Sequence, residues 1–91
     1  MKVRIGSILF EQSFLEDGSR FLEYLSRVRN NPRDLEAQLA LGVIHEYHGR
    51  PAQAIGHYWC ALQLDPTDTF VRERLKDLLA YLQHLITERP S

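Results

Sequence analysis

Four histidines and one cysteine are the side chains in this 91-residue chain best suited to chemistry at neutral pH, and their spacing decides what kind. His45 and His48 lie three apart with Glu46 between them, so His-Glu-Tyr-His is one residue shorter than the helical motif in which two histidines hold zinc beside a glutamate base. No third ligand is signalled, and the pattern reads as packed imidazole rather than a metal site. Cys60 follows His57 by three residues, but no basic cluster stands near it to favour the thiolate a nucleophile needs. Arg20, Arg27, Arg29 and Arg33 give one stretch a basic tint, which Glu23 and Asp34 interrupt and no aromatic residue interleaves for base stacking. The expectation is therefore no enzyme, no metal and no cofactor, with the arginines on a solvated helix face.

Composition narrows the classes further. Eleven basic against twelve acidic side chains leave a formal charge of −1, which gives no electrostatic pull toward nucleic acid or a membrane surface. A chain of this length makes one small domain, too small for a large catalytic cleft. The lone cysteine excludes an internal disulfide, so a cytoplasmic setting is the default. Lys2 and Arg4 precede an apolar run from Ile5 to Phe10, but Glu11 cuts it and no small-residue cleavage site follows, so it is not read as a signal peptide. No run approaches the ~20 apolar residues of a membrane span.

The elements that position these side chains are helical. From Leu35 the apolar spacing predicts a helix to about Tyr47, a stop at His48-Gly49-Arg50, and a second helix from Pro51, because glycine permits the positive φ of a helix end and proline suits a first helical position. Gly42 sits inside the first helix, where it costs roughly 1 kcal/mol against alanine, so its use is to let another helix come close. Ala54, Tyr58 and Ala61 form a stripe on the second helix that alternates small and large.

Shifting the chain by 34 places brings Tyr24 onto Tyr58, Pro32 onto Pro66, Asp34 onto Asp68, Leu41 onto Leu75 and Tyr47 onto Tyr81. The repeated Pro-x-Asp marks a junction: a proline that cannot continue one helix, then an aspartate that caps the next. Residues 1–34 then form a degenerate unit, with a first helix in Val3 to Leu15 and a second from about Ser19 to Arg29 after the Asp17-Gly18 turn. In the first of these, Val3, Ile5 and Ile8-Leu9-Phe10 also suit a strand, but the repeat register favours helix. After Pro66, Asp68 opens a long helix with Val71, Leu75, Leu78, Leu79, Leu82, Leu85 and Ile86 on one stripe, and residues 87–91 read as a frayed tail.

Leu41-Gly42, Gly49, Ala54, Tyr58, Ala61 and Pro66 together resemble the tetratricopeptide repeat, whose signature runs Leu-Gly, Ala, Phe or Tyr, Ala, Pro over about 34 residues. Gln38 and His45 depart from it, at places where the family carries tryptophan and tyrosine. The resemblance implies an all-α, right-handed stack of about five helices: a degenerate repeat at 1–34, a well-formed repeat at 35–68 and a capping helix at 69–87.

It also implies a function. In the family the first helix of each pair lines a concave groove, and the matching places here include Leu39, Val43, Tyr47, Phe70 and Tyr81, an apolar and aromatic wall with carboxylates on its rim. Such a wall implies a protein partner: an amphipathic helix or extended apolar segment bound as by an adaptor or chaperone-like module, with Arg74 as a polar anchor. The alternative is a homodimer that buries the wall, making an assembly module. The family's clamp for a carboxylate terminus needs several converging cations, and its places here are Ile5, Leu9, Ala40, Phe70 and Arg74, of which only Arg74 fits. Trp59 falls on the outer face of its helix.

Overall fold

The computed structural model describes residues 1–87, and the chain in it is mostly helical. Four α-helices follow one another, α1 (Gly18–Asn30), α2 (Leu35–Tyr47), α3 (Pro51–Leu64) and α4 (Thr69–Thr87), after an N-terminal β-hairpin, β1 (Lys2–Ile5) and β2 (Ile8–Glu11), and a 3₁₀ turn at Gln12–Leu15. The expected tail beyond Thr87 lies outside the described residues.

Three aspartates start helices in the same way. Asp17 accepts from the amides of Ser19 and Arg20. Asp34 accepts from Ala37, and Asp68 accepts from Phe70 and Val71 at 3.0 and 3.3 Å. Each satisfies amides that a helix start leaves without a carbonyl. The junctions before α2 and α4 repeat one another: the Asn31 side chain accepts from Arg33 N–H and the Asn31 carbonyl from Asp34 N–H, and Asp65 does both for Thr67 and Asp68. The turn between α2 and α3 uses Gly49 at φ +74°, and Pro51 opens α3.

The centre of the core is the α2–α3 pair. Leu39, Leu41, Ala54, Tyr58 and Ala61 have no accessible surface, and the Tyr58 ring lies on Gly42 so closely that a Cβ there would meet it at 2.6 Å. The Tyr58 hydroxyl donates to Glu46 at 2.9 Å, so the ring reaches the backbone without stranding its oxygen. Val71, Leu75 and Leu78 complete the core from α4.

Two expectations are corrected. Residues 3–15 hold no α-helix, so the described chain has four α-helices rather than five. Lys2 pairs with Glu11 and Ile5 with Ile8, across a two-residue Gly6-Ser7 turn with Gly6 at φ +62°. A glycine first in such a turn matches the right-handed twist of the strands, and the β-branched residues around it prefer the extended chain. Phe10 stacks on Phe14 at 4.9 Å between ring centres, and Tyr24 of α1 meets both edge-on. The second correction concerns α4, whose apolar stripe is not buried along its length: Leu79, Leu85 and Ile86 are half or more exposed.

Candidate partner-binding face

Two unlike surfaces of α2 bear on function. The first is interior and polar. Gln38 and His45, one helical side of α2, face His57 of α3: the Gln38 side-chain oxygen lies 2.9 Å from His57 Nδ1, and the imidazoles of His45 and His57 stack at 5.4 Å, nearly parallel. Arg50 Nε donates to His45 Nδ1 at 2.8 Å, Gln38 donates onward to the Pro32 carbonyl, and Phe21 meets the His45 ring edge-on. Burial, reinforced by His57, Arg50 and His48, pushes the His45 imidazolium down to about pH 4, and burial lowers His57 as well. Two neutral imidazoles that accept and donate within the chain join α2 to α3. They are spent on structure.

Cys60 is exposed, while His57 is engaged with Gln38. Among the described residues no three histidine, cysteine, aspartate or glutamate side chains gather as a metal site, and no helix is long and apolar enough to cross a membrane. Arg27 is committed too, bonded to Asp34 through two nitrogens at 2.9 Å and to Glu36 at 2.6 Å. The guanidinium holds the Asp34 carboxyl below its usual range.

The second surface is the side of α2 that carries Leu39, Val43 and Tyr47. The structure places them unequally. Leu39 is fully buried, Val43 and Phe70 are half-buried in the core, and Tyr47 and Tyr81 are 54% and 52% exposed. Phe70 meets Tyr58 edge-on at 6.2 Å. Arg74 is no free anchor: it bonds both carboxylate oxygens of Glu46 and, at 3.0 Å, Asp77, and the Glu46 bond raises its pKa. That ion pair ties α2 to α4 beside Tyr47. Tyr81 lies two helical turns beyond Arg74, on the same side of α4.

The N-terminal hairpin lies against α1 and against the start of α4. Its tip, Gly6, lies against Asp68 at the start of α4, while Phe10 packs on α1 through Tyr24 and shares a cleft with Glu36 at the start of α2. The hairpin thus reaches from α1 to the start of α4. At the far end of α2 the Tyr47 hydroxyl donates to Glu16 at 2.8 Å, next to a cleft of about 460 Å³ that Met1, Glu11 and Gln12 also line. The side chains of Ile5 and Phe10 were not among the candidate wall residues. The Ile5-Gly6-Ser7-Ile8 spacing, glycine in a two-residue gap between β-branched residues, is the signal that points to this turn.

Comparison with protein-family models, with characterised proteins and with solved structures finds no match to this chain.

Proposed function

We propose that the chain is a protein-interaction module of tetratricopeptide-repeat type, an adaptor that binds an apolar segment of a partner protein on the α2–α4 face. The observation that carries the reading is the pair Tyr47 and Tyr81, each more than half exposed on the side where Glu46 and Arg74 lock α2 to α4. A tyrosine offers a large apolar face with little rotamer entropy to lose, and a hydroxyl for a hydrogen bond at the rim. Tyr47 follows Glu46 and Tyr81 stands two turns beyond Arg74, so the ion pair between Glu46 and Arg74, which joins α2 to α4, supports a preorganised contact surface. Glu11, Glu16 and Asp77 make its border acidic.

The resemblance in Leu41-Gly42, Ala54, Tyr58, Ala61 and Pro66 supports the module type, and the repeated junctions at residues 31–34 and 65–68 support a tandem duplication. Replacing Tyr47 and Tyr81 together with alanine is expected to abolish retention of the protein that wild-type chain captures from its source, with helicity by circular dichroism unchanged. Undiminished retention by the double variant contradicts the assignment.

A second reading, a homo-oligomeric assembly module, draws on a different observation: α4 ends with Leu79, Leu85 and Ile86 exposed. Lys76, the residue 34 places after Gly42, puts a long charged side chain where a closely packed following helix would need a small one. A second copy is then the natural cover for the end of α4. Light scattering across a dilution series separates the two readings, since this one requires a dimer that Leu85→Glu dissociates.

A further inference from the structure

Among the described residues, Asp68 against Gly6 is the contact that leaves a buried side-chain oxygen without a partner. Asp68 is 7% exposed, and while its Oδ1 caps α4, its Oδ2 is buried with no hydrogen-bond partner. Gly6, at the tip of the hairpin, lies so close to it that any Cβ there would fall inside the carboxylate. A buried carboxylate oxygen that lacks a donor raises the free energy of the state that buries it. Lifting the tip would return that oxygen to water.

The rest of the hairpin is fastened unevenly. Its far end is tied down: Phe14 stacks under Phe10, Tyr47 bonds Glu16, and His48 Nε2 donates to the Leu15 carbonyl at 3.0 Å. The strands themselves are not. Among the described residues, no hydrogen bond or ion pair joins Lys2–Phe10 to a helix, and the ion pairs of Met1 and Lys2 go to Glu11 of the same hairpin. Burial of Ile5 and Phe10, with part of Val3 and Ile8, is what holds the strands down. A two-stranded ribbon has little stability of its own.

We infer that the N-terminal hairpin is a displaceable strap whose tip is seated at the α4 side of the α2–α4 face, against Asp68 and beside Phe70, and that the partner segment which replaces it is extended, apolar and carries a basic residue for Asp68. This rests on the proposed interaction role and adds how the face is regulated and what chemistry it selects. Apolar side chains of the incoming segment take the places that Ile5 and Phe10 fill in the core. A lysine or arginine supplies the donor that Asp68 Oδ2 lacks, with Asp65 lining the same cleft to reinforce the charge preference.

The strap can be tested without the partner, so its failure is distinct from failure of the binding role. Gly6→Val prevents the tip from seating against Asp68. With the dye 8-anilinonaphthalene-1-sulfonate as probe, the variant is expected to show several-fold higher fluorescence than wild type while its far-ultraviolet helical signal stays within about a tenth of the original. Fluorescence at the wild-type level, or loss of the helices together with the hairpin in every solution condition where wild type folds, overturns the strap. Asp68→Asn serves as an independent variant that folds with its helix cap intact. Removing the buried charge should tighten the strap and slow hydrogen exchange of the Ile5 and Ile8 amides at least threefold, and unchanged or faster exchange overturns it as well.

Discussion

Two glycines in this chain each lie beneath a side chain from a distant part of the sequence. Gly42 sits under the Tyr58 ring, which is fully buried and whose hydroxyl finds Glu46; Gly6 sits under Asp68, whose inner oxygen finds nothing. Around the first contact the small residues Ala54 and Ala61 are fully buried, and Gln38, His45, His57 and Arg50 bond one another across the same helix pair. Around the second, no hydrogen bond or ion pair reaches from the strands to the helices among the described residues. Close approach of backbone and side chain is common to both. Satisfaction of the polar atoms is not, and it separates a permanent interface from one that can part.

The largest effect that would sharpen this contrast is at Gly42. Gly42→Val drives two methyl groups into the Tyr58 ring and should cost about 3 kcal/mol or more, unfolding hairpin and helices in one transition by urea titration. A loss below about 1 kcal/mol would mean that the helix pair can slide apart cheaply, and the contrast would fail.

Acid probes the polar half of the same interface. An unfolded histidine titrates near pH 6.5, whereas His45 in the folded chain takes a proton only near pH 4. Stability is therefore full above about pH 6.5 and falls as pH drops toward 4, because across that window the unfolded chain binds the proton first. The loss approaches about 3 kcal/mol for His45 at the lower end. His45→Gln should flatten much of this slope in denaturation curves collected between pH 7 and 4, leaving the smaller share that belongs to His57.

At the junction before α2, Asp34 both caps the helix and pairs with Arg27, so Asp34→Ala should remove about 1 to 2 kcal/mol, measured as a shift in the urea midpoint. The smallest effect runs the other way. Gly56 is an exposed glycine inside α3 with nothing near a would-be Cβ, and Gly56→Ala should add about 0.5 to 1 kcal/mol. The opposite signs at Gly42 and Gly56 follow from what stands over each.

The helical two-thirds of the molecule was legible because its signals agree. Gly49 and Pro51 bracket the turn, Asp34 and Asp68 cap as their positions suggest, and the small residues Gly42, Ala54 and Ala61 face a neighbouring helix. Gln38 and His45 were legible only as departures from the pattern. Their compensation through His57 depends on a residue nineteen positions from the first, a pairing that spacing along one helix does not reveal.

At the N-terminal hairpin two signals compete. The 34-residue register asked for helix, while Val3, Ile5 and Ile8 with Gly6 between them favoured strands, and β propensity with an apt turn prevailed over an extrapolated repeat. The candidate wall residues are placed unequally: Tyr47 and Tyr81 are more than half exposed, but Leu39 is fully buried and Arg74 is engaged by Glu46, a tertiary contact that spacing along one helix does not reveal.

Residue-resolved native-state hydrogen exchange across low urea concentrations tests the central distinction most directly. The amides of Ile5, Ile8 and Phe10 should exchange through an opening that barely responds to urea, while those of Leu41, Ile44 and Tyr58 exchange only with a steep dependence that marks global unfolding. A single steep dependence shared by both groups would contradict the account, since hairpin and helix pair would then open as one unit.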